Sequence, residues 1–382
     1  MRVLTCIGDA TSIDAHGGLP FHLLDAGRRL GFFDDGWPLD TKALHRSRML
    51  WNAGRFLTRG EFGGYQYTQS FLQALVRQVP PALSSPDEII SIFPLFPPAL
   101  QANTQLSLYI DATLNQNFED YGIAGKVGRS LIVDALRREV IAYRNARRII
   151  CRSRFAAKSV VESYGIDPRK VHVVPGGSNI IDDRPQARAR PSSASLTPVR
   201  LGFIGKDWRR KNLGFVLNIA DVLAGRGVAV EVAAAGFDPA SGPSHMHLRA
   251  CGFIDKRTHL QRFVDFLSSC HFTCLFSRAE AFGLSNRESL RLGVPVLASR
   301  VGGIPDTVPE GCGHIFAQDS KPTEIANVID SYVREPNRYW ALRDAIALRR
   351  DEFTWEAVIK KMQAIWSGET QYRYDRIERA DA

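Results

Sequence analysis

Residues 272–298 read FTCLFSRAEAFGLSNRESLRLGVPVLA, and this stretch indicates the fold more clearly than any other part of the chain. Mostly apolar residues fill 272–276 and again 294–298, and a helical pattern near 286–292 lies between them. Short apolar runs joined through a helix are typical of parallel strands, which helices cover on both faces. The stretch therefore predicts a strand–helix–strand unit of a parallel α/β sheet.

The same alternation extends outward along the chain. From the pattern of apolar residues we expect further strands at 2–7, 88–93, 106–111, 148–151, 171–174, 199–204 and 228–235. We expect helices through Leu23, Leu24 and Leu30 and at 130–148, 213–224, 259–268, 323–333 and 355–366. Residues 181–198 lack apolar periodicity and predict a linker. The fold class is therefore α/β, with two doubly wound Rossmann-like domains, 1–180 and 199–350, facing a cleft.

The composition is that of a globular protein with a basic surface. Of 382 residues, 45% are hydrophobic, and the formal net charge is +9. No apolar run reaches the length of about eighteen residues that predicts a membrane span. The first residues form too short an apolar stretch for a signal peptide, so we expect a first strand and a cytoplasmic protein. The six cysteines are scattered, which fits a reducing compartment.

Positive charge is concentrated in two places. Residues 126–158 hold ten Lys or Arg against two acids, on and around the expected helix 130–148. The predicted apolar stripe of that helix consists of Ile132, Leu136, Val140 and Tyr143. Segment 42–59 is also basic, contains Trp51 and Phe56, and predicts an exposed or membrane-facing element. A solvated face and anionic lipid are both compatible with this charge, and nucleic acid is disfavoured because no aromatic-plus-basic module accompanies it.

Two carboxylates, Glu280 and Glu288, follow the strand expected at 272–276. Gly283 lies between them and allows the backbone to approach a ligand closely, and the amides after it can donate to a phosphate. Glu288 can accept two hydrogen bonds from a sugar diol. On spacing alone, a capped helix with solvated acids is an equally good interpretation.

A cluster of cations follows the strand expected at 199–204. The loop contains Lys206, Arg209, Arg210 and Lys211, and Asn212 is placed to cap the next helix. Such a loop suits a diphosphate leaving group, because negative charge develops on its oxygens as the glycosidic bond breaks. A solvated basic turn is the alternative. The pair Gly17-Gly18 permits a tight turn near an anion, although the Gly-x-Gly-x-x-Gly fingerprint is absent from the chain.

Together these elements resemble the family-4 glycosyltransferases of the GT-B fold. Glu280 and Glu288 match the Glu-x7-Glu signature of the retaining members, and Lys206 and Lys211 occupy the places of the family's basic pair. The other matching segments are Gly17-Gly18, Tyr164-Gly165, residues 173–177, residues 293–296 and Gly302-Gly303. The match covers most of the chain and is looser between residues 32 and 105.

The resemblance implies a retaining transfer from a nucleoside-diphosphate sugar to an acceptor hydroxyl, with no metal and no other cofactor. Domain 1–180 would bind the acceptor and 199–350 the nucleotide sugar, and segment 351–382 would pack back on the first domain. The acceptor would be a growing surface glycan or a lipid-linked sugar. We therefore expect a cytoplasmic protein, peripheral on an anionic membrane surface.

The resemblance also implies roles for individual residues. Glu280 would contact the donor sugar and Glu288 the ribose. Lys206, Lys211 and Arg210 would stabilise the departing phosphate. The remaining donor-site residues would be Gly17, Gly18, Phe282, Gly283, Leu284 and Ser285, the last four through their amides.

The chain departs from the family pattern at two places. Lys206 stands where arginine is more frequent, and a lysine offers a point charge in place of a bidentate fork. The histidine with which the first domain usually faces the donor sugar is absent from both candidate strand ends, 92–94 and 109–113. We interpret Asp111 as a polar residue of the cleft, with a structural loop aspartate as the alternative.

Two other functions are compatible with the sequence. A sugar-nucleotide epimerase of the same fold would need no acceptor, and a catalytically inert glycan- or nucleotide-binding protein would turn nothing over. A metal site is not expected. We interpret the residues that could suggest a metal site as surface, linker or buried residues. They are His245 with His247, Asp182 with Asp183, and Cys270 and Cys274 around His271.

Overall fold

The computed structural model describes residues 1–181 and 196–381, which form two compact units. The first unit consists of Met1–Pro175 and Val358–Ala382, and the second of Gly176–Ala357. Each unit is built on its own six-stranded sheet. Most of the predicted linker, including Asp182 and Asp183, lies outside the described residues.

The first unit has a parallel sheet with helices along the chain between its strands. Its strands are β1 (Arg2–Thr5), β2 (Asp35–Gly36), β3 (Glu88–Ser91), β4 (Gln105–Ile110), β5 (Arg148–Cys151) and β6 (Val171–Val173). Its helices are α1 (Leu19–Arg29), α2 (His45–Arg59), α3 (Gln69–Val76), α4 (Leu114–Asp120), α5 (Arg129–Asn145) and α6 (Arg154–Lys158). The strand order is β2-β1-β3-β4-β5-β6, so the chain reverses its direction across the sheet between β1 and β3.

The second unit repeats this plan. Its strands are β7 (Val199–Ile204), β8 (Val230–Ala235), β9 (Leu248–Ala250), β10 (Phe272–Leu275), β11 (Val296–Ser299) and β12 (Gly313–Phe316). Its helices are α7 (Leu213–Gly225), α8 (Leu260–Ser269), α9 (Leu284–Arg291), α10 (Pro322–Arg334) and α11 (Pro336–Leu348). The order β12-β11-β10-β7-β8-β9 is parallel throughout, and its switch point lies between β7 and β10. The predicted class, two doubly wound α/β domains, is confirmed.

Two helices end the described chain, α12 (Trp355–Trp366) and α13 (Tyr374–Asp381). From Val358 onward they belong to the first unit. The Trp366 indole donates a hydrogen bond to the Glu88 carboxylate at 2.8 Å and meets the Phe32 ring edge-on at 5.1 Å. Burial of an aromatic ring whose N–H has a partner stabilises such packing.

The predicted apolar stripe of the basic helix α5 packs on the core of the first unit. Tyr143 is buried there, and Ile132, Leu136 and Val140 are partly buried against it. The fully buried positions also include Leu131, Ala135 and Glu139, which the sequence did not predict. Glu139 can be buried because its carboxylate accepts hydrogen bonds from the Leu114 amide and from the phenols of Tyr143 and Tyr164.

Segment 42–59 forms a short 3-10 helix, Lys42–Leu44, followed by helix α2, and neither has a buried residue. The prediction of an exposed element there is confirmed. Met49, Leu50, Phe56 and Leu57 are its exposed large apolar side chains. Among residues 1–181 and 196–381, no helix has both the length and the apolar character required to cross a membrane.

Candidate active site

The loop after β7 places its cations at the carboxyl end of a central strand. Arg210 and Lys211 are half-buried, and Lys206 is exposed with its ammonium 5.0 Å from the centre of the Phe253 ring. Asn212 does occupy the N-cap of α7, but its backbone is left-handed (φ 61°) and its side chain makes no capping hydrogen bond. The predicted side-chain cap is therefore wrong, because a left-handed residue does not aim its side chain at the first-turn amides as an extended cap does.

The loop after β10 carries the first carboxylate. The Glu280 side chain is 13% exposed and receives a hydrogen bond from the Ser277 hydroxyl at 3.4 Å. Its backbone carbonyl accepts from the Gly303 amide at 3.1 Å. Two contacts therefore anchor the Glu280 loop: one from Ser277, which follows β10, and one from Gly303, which follows β11.

The two loops meet at the switch point of the sheet. The Glu280 carboxylate lies 3.4 Å from the Arg210 guanidinium and 3.5 Å from the Lys211 ammonium. The Arg210 guanidinium also donates to the Ala279 carbonyl at 2.5 Å. The Arg210 guanidinium also lies 3.9 Å from the Asp207 carboxylate. The four cations at 206 and 209–211 nevertheless outnumber Asp207 and Glu280, so positive charge remains for an anionic ligand. Ligands of doubly wound sheets bind at this kind of edge.

Helix α9 starts directly behind this cluster. Gly283 is its N-cap with φ 93°, a conformation that favours glycine, and no side chain caps the helix. The first amides of α9, at Leu284 and Ser285, follow the buried Phe282. Open amides at a helix start suit a phosphate or a hydroxyl oxygen.

Glu288 lies within α9 and is almost fully buried, with a side-chain exposure of 3%. Its carboxylate forms an ion pair with the Lys256 ammonium at 2.5 Å. A buried carboxylate needs such a partner, because an unpaired charge away from water is costly. One carboxylate oxygen is therefore engaged, and the other is left to accept from a ligand hydroxyl.

In the first unit, the predicted residues follow β1 and β4. Gly17 (φ 68°) and Gly18 (φ 86°) form a left-handed turn that leads into α1. Asp111 follows the carboxyl end of β4 and forms an ion pair with Arg152, which is almost fully buried. The carboxyl side chain of Asp111 is 44% exposed. Both features lie where parallel strands end, which is where this sheet can present groups to a ligand.

The chain matches two models of glycosyltransferase families. Residues 86–180 match the model described as Glycosyltransferase Family 4, and residues 198–335 match the one described as Glycosyl transferases group 1. The second match contains the whole cluster around Glu280 and Glu288. The chain belongs to the family-4 glycosyltransferases.

Curated relatives of this family-4 chain carry a glycosyltransferase name. D-inositol 3-phosphate glycosyltransferase 2 of Catenulispora acidiphila is 27% identical over 63% of this chain and 58% of its own length. The corresponding enzyme of Rhodococcus erythropolis is 25% identical over 55% of this chain and 51% of its own length. The matched region thus spans only about half of the length of these curated relatives.

Solved structures share the fold of the family-4 chain across both units. Sucrose-phosphate synthase from Thermosynechococcus elongatus superposes with a TM-score of 0.66 at 16% identity, covering 96% of this chain and 98% of that one. Anabaena HepE, solved in complex with UDP and glucose, gives 0.62 at 14% identity, covering 97% and 100%. The fold is the GT-B fold.

Lys256 is a site residue that sequence reasoning missed. It lies in the loop between β9 and α8, and no short motif marks it. Its partner Glu288 was predicted, and a buried carboxylate on α9 is itself the signal that a cation must come from another loop. Phe253 in the same loop was missed as well, and its ring is 54% exposed beside Lys206.

The histidines and cysteines that we did not interpret as metal ligands pack against other protein groups. His245 and His247 both face the Asp221 carboxylate, at 3.3 and 3.8 Å. Cys270 and Cys274 are buried, and burial raises the pKa of the Cys270 thiol to about 12. No group of three or more His, Cys, Asp or Glu within the described ranges is arranged to hold a metal ion.

Proposed function

We propose that this chain transfers a sugar from a nucleoside-diphosphate donor to an acceptor hydroxyl, with retention of configuration at the anomeric carbon and without a metal ion. The proposal rests chiefly on one observation, the meeting of Arg210 and Lys211 with Glu280 at the switch point of the second sheet. Two fixed cations at this edge suit a diphosphate, whose charge increases as it leaves.

Each group has a chemical task in this proposal. The bond from the anomeric carbon to the β-phosphate oxygen breaks, the acceptor oxygen bonds to the same face of the sugar, and the proton of the acceptor hydroxyl passes to the departing phosphate oxygen. The departing phosphate is stabilised by Lys206, Lys211 and Arg210, while Glu280 accepts from hydroxyls of the donor sugar. Glu288 accepts from the ribose through the oxygen that Lys256 leaves open. Amides of residues 282–285 supply further donors.

The first unit would bind the acceptor, Gly17 and Gly18 would contribute to donor binding, and Asp111 would supply a polar group. The relatives named for D-inositol 3-phosphate support a hydroxyl-bearing acceptor, and the HepE complexes support a UDP-type donor. We propose a surface glycan or a lipid-linked sugar as the acceptor, modified at the cytoplasmic side of the membrane.

A panel of nucleotide sugars tests the proposed reaction. We expect one donor to raise the unfolding temperature of the protein and to be hydrolysed slowly without acceptor, because water can replace the acceptor hydroxyl. Thermal shift and release of the nucleoside diphosphate are measured for each donor. The variant Glu280→Ala should lose hydrolysis by about 100-fold or more.

The alternatives give different results in the same panel. An epimerase would return a rearranged free sugar at full rate with no acceptor, whereas a transferase accelerates when an acceptor is added. A donor that binds and is never hydrolysed, by wild type as well as by Glu280→Ala, would leave an inert binding protein. Absence of any shift or turnover with all donors at millimolar concentration would contradict the transferase proposal.

We also propose that α2 binds an anionic membrane surface. Met49, Leu50, Phe56 and Leu57 recur at spacings that place them on one side of the helix, and all four are exposed. The helix holds four arginines and no acid. An apolar stripe on a basic helix is typical of a segment that lies in the lipid headgroup region.

Replacing Leu50 and Leu57 by serine should weaken binding to vesicles that contain phosphatidylglycerol by about 100-fold, because about 3 kcal/mol of apolar burial is lost. Co-sedimentation at low and high salt measures this binding. The control is Leu348→Ser on α11, where the leucine is 89% exposed and belongs to the other unit. Vesicle binding that is equal in both variants, or that ignores lipid charge, would exclude α2 as the membrane contact.

A further inference from the structure

The loop between β9 and α8 carries a lysine that holds the buried carboxylate of α9. The Lys256 ammonium lies 2.5 Å from Oε1 of Glu288 and 5.1 Å from the centre of the Phe263 ring. A carboxylate on one side and an aromatic face on the other both attract a cation and fix its position. The ammonium is therefore ordered before any ligand binds.

The ammonium is the more accessible member of this ion pair. The Lys256 side chain is 31% exposed, whereas that of Glu288 is 3% exposed. A ligand that approaches Glu288 therefore also meets Lys256. An ammonium has three N–H donors, and among the residues that the structure describes Glu288 is the only hydrogen-bond partner of Lys256. Donors consequently remain for a ligand.

Together the two side chains present a hydrogen-bond acceptor beside a donor. Oε1 of Glu288 is engaged by Lys256, and Oε2 accepts no hydrogen bond from residues 1–181 or 196–381. A carboxylate alone binds a diol only through the two hydroxyl hydrogens. An acceptor beside a donor instead binds one hydroxyl through its hydrogen and the other through a lone pair of its oxygen.

The loop of Lys256 also reaches a cation of the proposed phosphate site. Phe253 lies in this loop, and its ring is 54% exposed. The Lys206 ammonium, which we assign to the leaving phosphate, lies 5.0 Å from the centre of that ring. A single loop thus contacts Lys206 at one residue and Glu288 at another. A nucleoside diphosphate carries a phosphate and a ribose diol on one molecule, and both groups suit such a loop.

We infer that Lys256 is a specificity-determining residue for the nucleoside: its ammonium donates to one ribose hydroxyl while the Glu288 carboxylate accepts from the other. The inference rests on the proposed nucleoside-diphosphate donor. It assigns opposite hydrogen-bonding roles to the two hydroxyls of one diol. Fluorine distinguishes these roles, because a C–F group accepts a hydrogen bond weakly and cannot donate one.

Binding of modified nucleotides to the wild-type chain is the first test. The diphosphates of uridine, guanosine, adenosine and cytidine are titrated into the full chain by calorimetry. The tightest of them is then compared with its 2′-deoxy, 3′-deoxy, 2′-fluoro and 3′-fluoro forms. We expect each deoxy form to bind at least about tenfold more weakly, because a hydrogen bond to a charged group is lost. Fluorine should recover about threefold or more of this loss at one position, and none at the other.

Lys256→Met tests whether the lysine is the donor at the position that tolerates fluorine. The variant keeps the apolar stem beside Phe263 and loses the N–H groups. The loss of affinity on deoxygenation at that position should fall to about twofold or less, while the loss at the other position remains. A lysine that only pairs with Glu288 would change the affinity for every form by the same factor. The matched control Arg257→Gln removes the next cation of the loop, which pairs with Asp255, and should keep the wild-type pattern.

A double variant keeps the test valid if Lys256→Met does not fold. The single variant leaves Glu288 buried without its partner, which is costly, whereas Lys256→Met/Glu288→Gln leaves no charge at either position of the pair. In the double variant both deoxy forms should bind within about threefold of the ribonucleotide, because neither hydroxyl then meets a charged group.

The outcomes separate this inference from the proposed function. An equal effect of fluorine at the two positions would overturn the inference, because the two hydroxyls would then have the same role. Unchanged losses for both deoxy forms in Lys256→Met would overturn it as well. Either result leaves the nucleoside-diphosphate donor in place. Absence of binding by all four diphosphates contradicts the nucleotide donor itself, and with it both proposals.

Discussion

Replacement of Lys211 by alanine is expected to lower the kcat of sugar transfer by about 10²–10³-fold. The Lys211 ammonium lies 3.5 Å from the Glu280 carboxylate, and its side chain is only 16% exposed. Its charge is therefore fixed before substrate arrives, at the place assigned to the leaving phosphate. Interactions that strengthen as the phosphate departs act on kcat more than on the KM of the donor. Initial rates over a range of donor concentrations measure both constants.

Arg209→Ala is the matched control for this experiment. Arg209 lies in the same loop, but its guanidinium stacks on the Trp208 ring at 4.5 Å instead of facing Glu280. We expect the control to change kcat by about threefold or less. Lys211→Ala should still fold, because Arg210 remains beside Glu280 at 3.4 Å. Equal losses in the two variants would mean that the loop acts only through its total charge.

The convergence of these groups follows from the order of the strands in the sheet. Lys211 and Glu280 are far apart in sequence, yet each follows a strand of apolar residues, and β7 and β10 are neighbours in the sheet. In a doubly wound sheet the first strand and the strand that starts the second half lie side by side, so their loops meet. The predicted strands did not include β9, so the pattern alone made 272–276 the third strand of its series and did not identify it as the neighbour of 199–204.

Other features were not predictable because they depend on tertiary partners. Strands β9 and β12 are short edge strands that are only partly buried, so their composition resembles that of loops. Lys256 finds Glu288 only through the path of the loop after β9. Sequence periodicity specifies which faces are apolar, and it leaves unspecified which polar groups are paired across them.

Glu139 is the clearest case of a polar group whose partners the sequence did not predict. We expect its ionisation to make the free energy of unfolding depend on pH. The carboxylate is fully buried in α5 and accepts hydrogen bonds from the Leu114 amide at 2.8 Å, from the Tyr143 phenol at 2.7 Å and from the Tyr164 phenol. No Lys, Arg or His within the described ranges forms an ion pair with it. Burial, opposed in part by these hydrogen bonds, raises the pKa of Glu139 to about 7.

The raised pKa fixes the direction of the pH dependence. The ordinary value is 4.5, so between pH 4.5 and about 7 the folded chain retains a proton that the unfolded chain has released. The free energy of unfolding therefore falls as pH rises through this window and is constant above it, with respect to this group. The expected total is about 3 kcal/mol, at about 1.4 kcal/mol per pH unit.

Glu139→Gln should remove this dependence, since glutamine resembles the protonated acid in shape and cannot ionise. Relative to wild type, the variant should gain stability as pH rises from about 5 to about 8. His172 contributes in the opposite sense, because burial lowers its pKa to about 4 and its stabilisation is lost on acidification, but it is common to both proteins and cancels in the difference.

Native-state hydrogen exchange of amides in α4 and α5, corrected for the intrinsic exchange rate at each pH, measures this difference within the first unit, where two-state unfolding of the whole chain cannot be assumed. The control Asp134→Asn changes an exposed carboxyl on the same helix. A difference between wild type and Glu139→Gln that is constant over the window would show that Glu139 is ionised throughout. Its hydrogen bonds, and not its proton, would then hold the start of α4, three residues beyond Asp111, in place.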